Sequence, residues 1–330
     1  MLFRSKQVIA RRLAKKVAKL LASKIITVIS VTGSVGKTSS KVAIGKLLGQ
    51  KYQVRFSEDS YNTDIGLPLS FFGLKAPSPL WDPLAWRRVF QKINTVSKHY
   101  PYDVVVLEMA DDELEDMSEL LKSVKPDIGV LTAVAPVHME RMISMDRVVR
   151  DNWKIASAAK QVVYNADFAE LRNLAKKSKK AQGYGLRHGL IKFQSVSRNK
   201  DGYIKATLCM PEGKYDITTK MIGQQSLGSL LAAATVAHKL GMDDKSIVRG
   251  LAKIEGVNGR MKLLKAVNGA RLIDDSYNAS PEAVKAALKV ASELKANRRI
   301  VVLGNMNELG ADSKDLHYEV DRKSTRLNSS

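Results

Sequence analysis

Val8, Ile9, Leu13, Val17, Leu20 and Leu21 recur at three- and four-residue steps with basic residues between them, which predicts one amphipathic helix over residues 2–22. Residues 25–31 form a β-branched run that predicts a buried strand, residues 33–37 a tight turn, and residues 39–48 a return to helical spacing. Short apolar runs at 103–107, 128–132 and 161–164 predict further strands, separated by helical stretches. Strands that alternate with helices imply an α/β fold built on a mostly parallel sheet with flanking helices. Ligands in such folds lie beyond the carboxyl ends of the strands. Residues 74–100, with Pro77, Pro79, Pro83, Trp81 and Trp86, read as an inserted loop and helix, and residues 224–240 as a long helix rich in alanine and leucine. The lysine-rich stretch 176–180 reads as solvated surface.

Asn258-Gly259-Arg260 reads as a hinge, after which a second α/β pattern begins. It has predicted strands at 271–273 and 299–303, and a helix opened by Ser280-Pro281 with an apolar face of Val284, Ala287, Leu288, Ala291 and Leu294. Four segments follow: a basic helix (1–24), a nucleotide-binding central domain (25–258), a partial second Rossmann-like α/β domain (259–320), and a tail (321–330). The tail, DRKSTRLNSS, has no apolar period and resembles translated sequencing-adaptor read-through, so it is expected to be artefactual.

Composition bounds the class. With 330 residues, 45% apolar and 26% charged, the chain has enough apolar content for two domains with real cores. The single cysteine, Cys209, fits a reducing, cytoplasmic setting. No apolar stretch approaches the ~20 residues a spanning helix needs. The net charge of +21 is the outlier and favours polyanions. Residues 1–24 alone hold eight basic side chains and no acid, so the helix has two readings: a surface helix packed on the domain behind it, or an anchor on an anionic membrane face. Specific nucleic-acid binding is not expected, because the basic residues come without interleaved aromatics or a recognition helix.

Thr32, Gly33, Ser34, Val35, Gly36, Lys37, Thr38 and Ser39 follow one predicted strand and open a predicted helix. Glycines let backbone N–H groups turn inward around phosphates, and the helix N-terminus adds partial positive charge. Lys37 suits the β- and γ-phosphates, and the Thr38 hydroxyl suits Mg²⁺. The spacing departs from the general phosphate loop, with Val31 where that loop has its first glycine. Glu108 ends a predicted strand, from which a carboxylate reaches Mg²⁺ or its waters. His138 follows another strand by six residues, and by itself fits a structural role as well as a ligand's.

The segments TGSVGKTS, YNTDIGLPLS, LEMADDELEDM, KPDIGVLTAVAPVHMERM, GRMKLL, LIDDSYNASPEAVKAAL and VVLGNMNELG occur in the order found in Mur ligases. The resemblance runs from about residue 25 to 320 and is strongest to the branch that adds D-alanyl-D-alanine. It implies ATP- and Mg²⁺-dependent amide formation in peptidoglycan synthesis, through an acyl phosphate, by a monomer. The implied partners are a UDP-N-acetylmuramoyl-peptide and D-alanyl-D-alanine. Carried over by position, Lys37 holds phosphates and Thr38, Glu108 and His138 serve Mg²⁺. Asn62 and Thr63 lie near the acceptor carboxylate, Arg260 reaches the nucleotide from the hinge, and Asp275 and Asn278 face ribose and base.

Other residues break the pattern. Asn152 stands where the family carries a carbamylated lysine, so either Lys154 takes that role through a shifted helix or a metal is held more weakly. Gln225, Ser226 and Ser229 replace a histidine and two asparagines beside the adenine. Only the basic helix precedes the phosphate loop where the family has a UDP-sugar domain, and the second domain is expected to lack its D-alanyl-D-alanine-binding part. Two other readings stay open: another amide ligase on this scaffold, such as a folylpolyglutamate synthase, and a non-catalytic nucleotide-binding protein.

Overall fold

The structure is a computed structural model and describes residues 2–57, 63–109, 121, 124–134, 145–307 and 309–326. A nine-stranded sheet organises the larger part. Its strands are β1 (Thr27–Thr32), β2 (Val54–Arg55), β3 (Val104–Glu108), β4 (Ile128–Leu131), β5 (Gln161–Asn165), β6 (Ala181–Gly185), β7 (Ile191–Arg198), β8 (Ile204–Met210) and β9 (Gly213–Thr218). They lie in the order β2-β3-β1-β4-β5-β6-β7-β8-β9. Pairing is parallel from β2 through β7, then antiparallel across β7, β8 and β9. The expected parallel sheet is therefore present, extended by an antiparallel meander that the alternation of strand and helix did not reveal. β1 starts at Thr27 rather than at residue 25, because Ile25 is fully exposed and only the following residues enter the sheet.

The alternation of side chains along β1 and β3 supplies two cores. Ile29, Val31, Val104 and Val106 face one layer, which contains α2 (Lys37–Leu48) and α7 (Leu227–Lys239). Val28, Val105 and Leu107 face the other, with α1 (Leu2–Ser23), α3 (Gly66–Phe72) and α4 (Pro83–Lys98). α5 (Met145–Ser157) and α6 (Ala169–Ala175) cover β4 and β5. The predicted helix over 224–240 begins as one 3₁₀ turn before α7 and α8 (Asp244–Leu251) follow.

The apolar stripe of α1 points inward. Leu13, Val17 and Leu20 are buried among Ile26, Phe71 and Trp86, and each such burial is worth about 2 kcal/mol. An amphipathic helix has one apolar face, and here the protein's own core has it. The membrane-anchor reading of residues 1–24 through that stripe is thereby overturned.

The second unit holds an antiparallel pair, β10 (Lys262–Lys265) and β11 (Arg271–Asp274), with α9 (Pro281–Glu293) and α10 (Ser313–Arg326). Ser280 caps α9 through Ala283 N–H, with proline at the first helical position, as predicted. The strand expected at 299–303 does not form: a β-branched run becomes a strand only by pairing, and among the described residues none pairs with it. Val302 accordingly lies open to solvent. α10 continues through Arg326, past the expected start of the tail.

Candidate nucleotide site

The chain leaves β1 for β2 on one side of the sheet and, after β3, crosses to β4 on the other. The strand order thus reverses at β1, and the loop beyond its carboxyl end sits where α/β sheets place ligands. Register brings the donors together there, with Val31 opposite Glu108 and Thr32 opposite Leu131.

The loop is braced from β4. Ser34 N–H donates to Ala133 O at 2.7 Å, and Thr132 Oγ1 donates to Val35 O at 2.7 Å. Gly33 has φ +133°, and a Cβ there would fall 2.2 Å from Thr132 Oγ1, so only glycine fits. Gly36, at φ +82°, turns the chain into α2, and Ser40 N–H closes the first turn onto Gly36 O. The amino end of α2 therefore faces the loop, the arrangement that binds phosphate. Ser34 Oγ is buried with no hydrogen-bond partner among the described residues, a donor in need of an acceptor inside the loop. Lys37 Nζ lies 2.7 Å from Gly33 O, within reach of the loop's interior.

Thr38 Oγ1 donates to Glu108 Oε2 at 2.9 Å, so the two proposed Mg²⁺ ligands of β3 and α2 are in contact. Their oxygens beside the phosphate loop fit a hard divalent cation. Lys41 Nζ bonds the same Glu108 oxygen at 3.0 Å, with both side chains almost wholly buried. Sequence reasoning missed Lys41. The available signal was its place three residues after Thr38, which puts both on one face of α2. His138 and Asn62 lie outside the described residues. Thr63 stands just before α3, its Oγ1 accepting from Gly66 N–H at 2.9 Å.

Asn152 is buried under the loop, where its Oδ1 accepts from Thr32 Oγ1 at 2.8 Å and its Nδ2 donates to Val148 O. Lys154 points away: its side chain is 73% exposed and pairs with Asp151 at 3.0 Å. Two residues along a helix is a rotation of about 200°, so α5 cannot present both positions to the loop. The reading in which Lys154 replaces the missing lysine is ruled out by this geometry. Ser229 Oγ lies 3.2 Å from Ser40 Oγ and joins α7 to α2 behind the loop. Gln225 and Ser226 form the 3₁₀ turn before α7.

At the hinge, Arg260 stacks on Tyr277 with its guanidinium carbon 3.9 Å from the ring centre. Asp274 accepts from Gly259 N–H and from Ser276 Oγ, and these bonds hold its carboxyl below the usual carboxylate range. Asp275 accepts from Met261 N–H at 2.9 Å, yet burial pushes its carboxyl up. Asn278 makes a local bond to Ala279 N–H. Arg260, Asp275 and Asn278 thus gather at one end of the second unit.

Two family models match: the Mur ligase middle domain over residues 88–237, and the Mur ligase glutamate ligase domain over 259–326. The UDP-N-acetylmuramoyl-tripeptide–D-alanyl-D-alanine ligase of Bacillus subtilis is 28% identical over 313 residues, covering 94% of this chain and 62% of the relative. The ligase of that name from Escherichia coli is 25% identical, covering 89% and 61%. The chain thus spans about three fifths of the length of these curated relatives. Among solved structures, MurF ligase from Thermotoga maritima in complex with ADP superposes with a TM-score of 0.79 at 26% identity, over 95% of this chain and 68% of that one. MurF from Acinetobacter baumannii, at 21% identity and TM-score 0.77 over 96% of this chain and 64% of that one, shares the fold. The chain belongs to the Mur ligases, of which it carries the middle domain and the glutamate ligase domain.

Proposed function

We propose that the protein is an ATP-dependent amide ligase that joins D-alanyl-D-alanine to a UDP-N-acetylmuramoyl-tripeptide in the cytoplasm, as a monomer. The observation that carries this reading is the convergence of Thr38 and Glu108 at the reversal point of the sheet, beside a glycine-braced phosphate loop. The names of its relatives supply the substrates. Phosphoryl transfer of this kind rests on positioning and charge neutralisation. Lys37, the Ser34 hydroxyl and the amino end of α2 hold the β- and γ-phosphates. Mg²⁺, held by Thr38, Glu108 and His138, supplies further neutralisation of those oxygens when bound. Asn62 and Thr63 orient the acceptor carboxylate toward the γ-phosphate. The carboxylate oxygen takes the γ-phosphoryl group with ADP leaving, and the amine of D-alanyl-D-alanine attacks the resulting acyl phosphate, losing a proton and expelling phosphate. Arg260, Asp275 and Asn278 hold the nucleoside from the second unit.

The test is phosphate release by the full chain with ATP, Mg²⁺, the muramoyl-tripeptide and D-alanyl-D-alanine. The expected release needs both the acceptor and the dipeptide. Release with a folate acceptor alone would reject the peptidoglycan assignment.

A further inference from the structure

The inserted segment 74–100 has no part in the nucleotide site. Its helix, α4, lies along α1, and Lys16 Nζ bonds Asn94 Oδ1 across the two at 2.6 Å. Between them runs an open groove of about 870 Å³. Ile9, Trp86 and Phe90 give it an apolar lining, and Arg12, Lys15, Lys16 and Arg87 line it with charge. Leu80 and Trp81 line it as well, and Trp81 stands 71% exposed. Leu84, one residue past Pro83 in the groove wall, is 65% exposed.

Neither α1 nor α4 contains a single acidic residue, and α4 carries Arg88, Lys92 and Lys98 outside the groove lining. One carboxylate, Asp82, sits at this tip, where it caps α4 through Leu84 N–H and Ala85 N–H, and the remaining charge is positive. Positive charge around protruding tryptophan and leucine is the chemistry of a bilayer interface. There indole and leucine enter the headgroup boundary while lysine and arginine meet lipid phosphates.

We propose that the α1–α4 face, led by Trp81 and Leu84, docks the protein peripherally on an anionic phospholipid membrane. The stripe of α1 that faces the core takes no part. α1 contributes its cationic face, and the insert contributes the apolar contact. Each basic side chain near such a surface strengthens attachment about fivefold, and it acts only if the apolar tip keeps the face oriented.

The test is co-sedimentation of the full chain with vesicles of phosphatidylcholine alone and of phosphatidylcholine mixed with phosphatidylglycerol. Binding is expected only to the anionic vesicles, with a blue shift of tryptophan emission that Trp81→Ala abolishes. Trp81→Ala/Leu84→Ala should weaken binding at least tenfold, and Lys15→Glu/Lys16→Glu/Arg87→Glu should remove it. As a control for net charge, Lys176→Glu/Lys177→Glu/Lys179→Glu, on the far lysine-rich stretch, should bind like the parent. Circular dichroism establishes that each variant is folded. Equal losses from the two charge-reversal sets, unchanged binding by the Trp81/Leu84 variant, or no binding to anionic vesicles would each overturn the proposal. In the last case an acidic protein segment becomes the occupant to seek. ATP binding reads the nucleotide site separately, so failure here leaves that site untouched.

Discussion

Lys41 and Glu108 form a salt bridge at 3.0 Å with both side chains nearly closed off from solvent. Burial of two charges is costly, and their mutual attraction repays it only while both remain. The bond that Thr38 makes to the same carboxylate oxygen ties the pair to the phosphate loop. Lys41 is therefore a positioning residue: it fixes where the carboxylate of Glu108 stands.

Removing one partner withdraws a buried counter-charge from the other. Lys41→Met should lower the unfolding free energy by about 3–5 kcal/mol, measured by urea denaturation. Lys41→Met/Glu108→Gln should recover much of that loss, because both buried charges of the pair are then gone. Equal destabilisation by the single and double variants would show that the pair does not act as a unit.

Gly33 tests the loop's geometry. Gly33→Ala places a methyl group 2.2 Å from Thr132 Oγ1 and 2.9 Å from Ala133 O, in a backbone conformation that side chains rarely adopt. The loop must then leave its brace on β4. Nucleotide affinity should fall more than tenfold, by fluorescence titration with a labelled ATP, while the far-ultraviolet circular dichroism stays as in the parent.

Asn152 and Lys154 should respond in opposite ways. Asn152→Ala strands the Thr32 hydroxyl in a buried position, at a cost of about 1–3 kcal/mol, and should lower both thermal stability and nucleotide affinity. Lys154→Ala removes an exposed ammonium while the buried Asp151 keeps Arg147 at 3.6 Å, so it should leave phosphate release and its dependence on bicarbonate unchanged. A bicarbonate-rescued loss in Lys154→Ala would restore the carbamate reading.

These contrasts show what was legible in the sequence. The phosphate loop, the strand that ends at Glu108 and the cap at Ser280 rest on local chemistry, in which the residue types and their order carry the signal. Lys41 and Asn152 do not. Their roles depend on the register of β1 against β3 and on which face of α5 meets the loop. The antiparallel meander of β7 to β9 was hidden for the same reason, since pairing direction is a property of two strands and not of one. The run at 299–303 shows the converse: β-branched residues state a preference, and a partner decides it.

The hinge makes a prediction about pH. Burial raises the carboxyl of Asp275 above its ordinary 3.8, so the folded chain holds that proton more tightly than the unfolded chain. Its contribution to stability is present in full below pH 3.8 and is lost as pH rises through the raised value. Asp275→Asn should therefore gain thermal stability relative to the parent between pH 4 and pH 7 (about the range over which a raised carboxyl ionises). Asp274 runs the other way. Its depressed carboxyl stabilises the fold above pH 3.8 and loses that effect as pH falls through the lowered value. Parallel melting curves for Asp275→Asn and the parent across this range would contradict the assignment.

The central claim is that the loop from Thr32 to Ser39 binds ATP through Lys37, with Mg²⁺ at Thr38 and Glu108. Isothermal titration calorimetry of the full chain with ATP, in Mg²⁺ and then in EDTA, tests it most directly. The predicted result is binding that weakens in EDTA and falls about tenfold to hundredfold in Lys37→Ala, with Glu108→Gln losing the dependence on Mg²⁺. ATP binding of equal strength in the parent, Lys37→Ala and Glu108→Gln would contradict the account.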